Sequence, residues 1–267
     1  MSDIYVEPKD VTDLDDCIFY HTMDVPGYGT VKGSWDLRRK LGAYLGNVSF
    51  AGKRVLDIGK ASGVLSFYAE SQGASEVVAF DIDGDRYGRD WVPYPGLDME
   101  ELLQKQKDHH KKLNNSFWLA RKALGSSVKL VYGRAYDIPS EIGSVDVSIL
   151  GSILLHTINP VQIIIEAAKL TKEAIIIADI PPKTFFRLPR INFLPRFIKK
   201  RMKPCAWFYP NAETKVQGSW WSMPPEFMIR ALEMVGFEDC KTTWHLQLML
   251  GKPVVVYTVV GRRTKPA

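Results

Sequence analysis

One stretch, Val55-Leu56-Asp57-Ile58-Gly59-Lys60-Ala61-Ser62-Gly63 with Asp81 eighteen positions beyond Gly63, constrains this chain more than any other. The apolar run from Arg54 to Ile58 reads as a buried strand, and the glycines that end it allow a tight turn before a helix beginning near Ser62. Backbone N–H groups at the start of such a helix face a ligand, and a carboxylate closing the next strand, Val77 to Asp81, can accept both hydroxyls of a ribose. The pattern is that of a nucleotide cradle.

The spacing of the glycines narrows the nucleotide. A pyrophosphate needs close backbone approach, which dinucleotide folds provide with glycines at the first, third and sixth positions of the loop. Here the third is Ala61 and the sixth is Val64, which disfavours a dinucleotide. The sequence Asp57-x-Gly59-x-x-x-Gly63 resembles instead the S-adenosylmethionine loop of class I methyltransferases. That resemblance implies that Asp57, Gly59, Lys60, Ala61, Ser62 and Gly63 surround the methionyl part of S-adenosylmethionine, with Asp81 and Ile82 on the ribose side. S-adenosylhomocysteine would be the product.

Strand and helix patterns alternate along the chain as an α/β fold requires. Short Val-, Ile- and Leu-rich runs near 53–58, 76–81, 128–132, 145–150 and 173–179 read as strands, with helices at about 62–72, 98–124 and 160–170. After a helix near 224–235, two β-rich runs at 240–250 and 254–261 are joined by Gly251-Lys252-Pro253. So short a turn makes a hairpin, which places one strand antiparallel in the sheet. The expected architecture is a doubly wound, seven-stranded, mostly parallel sheet ending in an antiparallel hairpin. The chain divides into an N-terminal cap (1–50), a cofactor-binding Rossmann-like core (51–180), a basic and aromatic lid (181–223) and a C-terminal helix and hairpin (224–267).

Further segments carry the resemblance into one branch of that family. They are Tyr20 to Gly27, Gly33 to Arg38, Phe117 to Arg121, Val131 to Pro139 and Leu154 to Pro160. Together they resemble the branch grouped with the tRNA wobble-uridine oxyacetic acid methyltransferase, which also contains small-molecule enzymes. The resemblance implies that Ala135 and Tyr136, after the third strand, hold the adenine. Gly151, after the fourth, leaves room for the methyl group. The tRNA enzymes hold a carboxylated cofactor with a tyrosine and an arginine flanking the histidine that corresponds to His156. Here those positions are Leu155 and Thr157, which points to ordinary S-adenosylmethionine and a small acceptor.

Methyl transfer to a hydroxyl needs alignment and a proton acceptor, and histidine suits the second task near neutral pH. Of five histidines, His156 directly follows the fourth strand and His21 lies in the aromatic N-terminal segment. These two are the catalytic candidates. His109 and His110 fall in the charged stretch Lys105 to Lys112 and are expected on a solvated helix face, and His245 is expected to be structural. Tyr20, Trp35, Trp220 and Trp221 are the candidate acceptor contacts. Between Asp179 and Glu213 there is no acid but eight basic residues with interleaved aromatics, a mixture that suits RNA, an anionic ligand or a membrane surface.

Composition sets the outer bounds. At 267 residues, 46% hydrophobic and net charge +5, the chain supports one sizeable domain and gives no general case for nucleic-acid binding. Cys17, Cys205 and Cys240 lack metal or disulfide spacing, no metal cluster is evident, and no signal peptide or membrane span is read, so a cytoplasmic location is expected. The reading is an S-adenosylmethionine-dependent methyltransferase, acting by O-methylation on an aromatic or apolar small molecule. The alternatives are a tRNA-modifying methyltransferase and a cofactor-binding module without catalysis.

Overall fold

A computed structural model describes residues 4–182, 204–213 and 218–266. The large sheet is built from β3 (Trp35–Asp36), β4 (Arg54–Ile58), β5 (Glu76–Asp81), β6 (Lys129–Tyr132), β7 (Val145–Gly151), β8 (Thr171–Asp179), β11 (Asp239–Met249) and β12 (Lys252–Arg262). Their order is β3-β11-β12-β8-β7-β4-β5-β6. From β8 to β6 every pairing is parallel, while β12 runs antiparallel to both β8 and β11. The hairpin follows from its tight connection, in which Leu250 and Gly251 both take positive φ.

Seven of these strands are those read from the sequence. The eighth, β3, is two residues long and pairs with the end of β11 through Asp36–Leu248 and Trp35–Met249. It covers the sheet edge and ties the N-terminal segment to it. That segment also forms a small hairpin of β1 (Met23–Val25) and β2 (Gly29–Val31) and a one-turn helix, α1 (Leu41–Tyr44). Another short pair, β9 (Trp207–Phe208) and β10 (Trp221–Ser222), lies between β8 and the last helix.

Alternation along the central strands explains the layers. Val55, Ile149 and Ile176 enter one apolar cluster, while Leu56, Leu150, Ile175 and Ile177 enter the other on the opposite face. Helices α2 (Val64–Ser71) and α3 (Met99–Ala123) supply Leu65, Phe67, Phe117 and Trp118 to the first cluster. Helices α4 (Pro160–Leu170) and α5 (Pro225–Met234) supply Ile163, Ile164, Met228 and Leu232 to the second. Local signals set the helix starts. Asp98 accepts from Glu101 N–H at 3.0 Å, Asn159 accepts from Gln162 N–H at 3.1 Å, and prolines begin α4 and α5. Among the described residues, no helix is long and apolar enough to cross a membrane. The basic residues Lys183 to Lys203 of the expected lid lie outside the described residues.

Candidate active site

The carboxyl ends of β4, β5, β6 and β7 open into a cavity of about 310 Å³. Its floor is the bend after β4. Gly59 takes φ +83, and a Cβ there would lie 2.7 Å from Cδ1 and 3.1 Å from Cβ of Ile153, so only glycine fits. Ala61, where dinucleotide loops carry glycine, also has positive φ, at 49°. The loop therefore keeps the left-handed bend without that glycine. Its backbone N–H donates to Asp81 Oδ2 at 3.0 Å, and Ile82 N–H donates to Oδ1 at 2.8 Å. Asp81 thus stands at the tip of β5, beside the bend, as the sequence spacing implies.

Behind the loop lies a buried polar layer. Asp57 accepts from Ser66 Oγ at 2.6 Å, while its other oxygen is buried without a partner among the described residues. Burial, opposed by that hydrogen bond, pushes the Asp57 carboxyl up to about 6. Lys60 turns away from the cavity: its ammonium donates to Asn114 Oδ1 at 2.7 Å, sits 5.0 Å from the Phe117 ring centroid and lies 3.9 Å from Asp81. Burial lowers its pKa. Ser62 accepts from the His21 backbone N–H at 3.3 Å, which joins the loop to the N-terminal segment. Gly63, at φ 89, caps α2.

The far wall combines β7 with the N-terminal segment. Gly151, Ser152, Ile153 and His156 line the cavity, as do Tyr20 and His21. His156 Nδ1 faces both Arg89 Nη2, at 2.6 Å, and the Gly218 carbonyl. A neutral ring either accepts from the first or donates to the second, leaving Nε2 protonated in one case and free to accept in the other. Burial, reinforced by the Arg89 charge, lowers the His156 imidazole to about 4. Burial alone lowers His21 to about 3, and its Nδ1 has no partner among the described residues. Both rings are neutral at physiological pH.

Most positions read from the sequence converge here. Tyr20, His21, Gly59, Ala61, Asp81, Ile82, Ala135, Tyr136, Gly151 and His156 all line the one cavity. Asp57, Lys60, Ser62 and Gly63 of the loop do not line it, and neither do three expected acceptor contacts. Trp35 donates its indole N–H to Tyr20 Oη at 3.2 Å, Trp220 to the Asp90 carbonyl at 3.2 Å and Trp221 to the Ile158 carbonyl at 3.1 Å. They brace the walls from outside.

A second correction concerns α3. His110, expected on a solvated face, is buried and lines the cavity; His109 is exposed as expected but also borders the cavity. The buried positions Gln106, His110, Leu113, Asn114 and Phe117 follow helical spacing, so a largely polar stripe of α3 faces the connection from β5. Burial lowers His110 to about 4. His245 is structural as expected, with Nε2 2.9 Å from Thr258 Oγ1.

Sequence reasoning missed the connection between β5 and α3, which supplies Gly88, Arg89 and Asp90 to the cavity. Asp90 is its anchor. Its carboxylate accepts from Arg134 Nη2 at 3.0 Å, from Ile158 N–H at 3.0 Å and from the Tyr136 hydroxyl. Asp179, at the carboxyl end of β8, was missed too. It is almost fully buried, and desolvation raises its carboxyl to about 7.

No family model matches the sequence. Among solved structures, the chain is similar to magnesium protoporphyrin IX methyltransferase from Synechocystis PCC 6803 with bound S-adenosylhomocysteine. The TM-score is 0.52 at 14% identity over 85% of this chain and 82% of that one. It is also similar to the N-terminal domain of EvdMO1 in the presence of S-adenosylhomocysteine and D-fucose (0.51, 14%, 94% and 92%). A third is a SAM-dependent methyltransferase from Methanosarcina mazei (0.51, 13%, 81% and 94%). The fold is accordingly the Rossmann-like class I methyltransferase fold. At such identities the likeness carries the fold, and the reaction must be argued from the residues.

Proposed function

We propose that the protein is an S-adenosylmethionine-dependent methyltransferase that methylates an oxygen of a small aromatic or apolar acceptor. One observation carries this reading: the glycine bend at Gly59 and the Asp81 carboxylate line the same cavity, on a fold shared with methyltransferases. The residues present fit the cofactor. Gly59 leaves a cradle that a Cβ would fill, and Asp57, buried behind the loop, has an oxygen without a partner among the described residues, a chemical match for an ammonium group. Asp81 would take the ribose hydroxyls, and Ala135 and Tyr136 the adenine side.

When bound, S-adenosylmethionine supplies an electrophilic methyl group on a sulfonium. Gly151 and Ser152 line the cavity at the carboxyl end of β7, where an acceptor would be held beside that methyl group. The acceptor proton must leave. With basicity held so low, His156 and His21 orient the acceptor hydroxyl through hydrogen bonds while the proton passes to solvent. Isothermal titration with S-adenosylmethionine tests the reading. Saturable heat for one site is expected, and its absence removes the proposal.

A further inference from the structure

We infer that Arg89 is an anion-binding residue on the acceptor side of the cavity, and that the acceptor presents a carboxylate to it. The anion site stands on geometry alone, whereas assigning it to an acceptor rests on the methyltransferase reading.

Arg89 lies in the β5–α3 connection, lines the cavity and packs its guanidinium 5.5 Å from the Trp91 ring centroid. Nη2 donates to the Gly218 carbonyl at 2.8 Å and faces His156 Nδ1 at 2.6 Å. Neither partner carries negative charge. Among the described residues Arg89 forms no ion pair, although two acids are close in the chain or in space. The Asp90 carboxylate is engaged by Arg134, Tyr136 and Ile158 N–H. The Asp81 oxygens accept from Ala61 and Ile82, with Lys60 3.9 Å away. Outside the described set, residues 183–203 and 214–217 contain no Asp or Glu; the acids there are Asp3 and the C-terminal carboxylate.

A cation removed from water without a partner is costly, and a charged ligand offsets that cost. Guanidinium offers five donors in a planar fork that matches a carboxylate in two parallel hydrogen bonds. Only Nη2 is engaged by protein among the described residues. Among the described residues Arg89 is the cavity cation left without an acid partner, because Arg134 is paired with Asp90 and Lys60 turns away, and a single positive charge suits a monoanion better than a phosphate dianion. The position beside His156 and Gly218 places the anion past β7. The loop expected to hold the cofactor's amino-acid end follows β4 instead.

An NMR titration with acetate, and with acetamide as its neutral counterpart, tests this on both ligand-free and S-adenosylhomocysteine-loaded protein. The reporter is the His156 ring, adjacent to Arg89, and the His245 ring reports an intact fold. Acetate is expected to shift His156 saturably in both states, and acetamide is not. Arg89→Gln is expected to abolish the response, and Arg89→Lys to weaken it roughly tenfold by losing the fork. No acetate response, an equal acetamide response, or a response that survives Arg89→Gln overturns the site. A different outcome moves the carboxylate to the cofactor and overturns the acceptor assignment. In it, S-adenosylhomocysteine excludes acetate, and Arg89→Gln weakens that ligand while leaving 5′-methylthioadenosine, which lacks the amino-acid end, unchanged. Failure of the wild type to bind S-adenosylhomocysteine removes the methyltransferase reading instead, and the acetate response of the ligand-free protein then decides the anion site by itself.

Discussion

Replacing Asp81 by Asn changes one atom and tests the cofactor site directly. In the wild type Oδ2 accepts from Ala61 N–H at 3.0 Å and Oδ1 from Ile82 N–H at 2.8 Å. A carboxylate has about four lone-pair sites, so about two remain for ribose hydroxyls. The amide has a single oxygen, and whichever way it turns, its NH₂ group confronts one of the two backbone N–H donors. Asp81→Asn therefore loses a loop-holding bond and an acceptor for ribose together. A hydrogen bond to a charged group contributes about 1.5–3 kcal/mol, and about 1.4 kcal/mol is tenfold in affinity. Loss of one such bond thus weakens S-adenosylhomocysteine binding roughly 10- to 150-fold. Titration calorimetry on the folded variant, with urea unfolding of the ligand-free proteins to separate stability from binding, measures this. A variant that binds as tightly as the wild type refutes the assignment of Asp81 to the ribose.

Gly59→Ala should destabilise the protein by about 1–2 kcal/mol for its left-handed backbone, with more from the clash against Ile153, and should abolish S-adenosylhomocysteine binding; urea unfolding and calorimetry check both. Asp179 gives a pH signature. Its carboxyl is raised from 3.8 to about 7, so between those values the folded protein holds a proton that the unfolded chain has released. The Asp179 contribution to stability should therefore fall as pH rises through that window and level off above it, by a few kcal/mol at most at about 1.4 kcal/mol per pH unit, against the opposite slope of the lowered imidazoles of His21, His110 and His156. The difference in urea unfolding free energy between the wild type and Asp179→Asn isolates that contribution and should show this slope across the window. Total tRNA in a gel shift should give no discrete complex, whereas a band that fades steeply with added salt would favour the RNA-modifying alternative.

What was legible in the sequence is what is local. The bend at Gly59, the strand before it and the carboxylate at Asp81 come from one strand-turn-helix unit and the strand that follows, so spacing alone brings them together. The buried strands announce themselves because both faces are covered, which makes β4, β7 and β8 nearly continuous apolar runs. Where burial is polar the same reasoning fails. Gln106, His110 and Asn114 of α3 point inward in a stretch whose composition reads as solvated surface, because apolar periodicity cannot register a stripe held by hydrogen bonds.

The acceptor side is non-local throughout. Asp90 finds its partners 44, 46, 68 and 130 residues away, in Arg134, Tyr136, Ile158 and Trp220. His156 meets Arg89 across 67 residues and Gly218 across 62. No spacing rule anticipates such pairs, since each depends on where two connections happen to close over the sheet. This division has a chemical counterpart on an open α/β sheet. The half that grips a common cofactor is fixed by the strand-turn-helix geometry, while the half that chooses the acceptor is assembled from loops that can change without disturbing it. In this chain those loops bring a planar cation and two imidazoles into one cavity, and under the proposed function these are the groups that would select the acceptor.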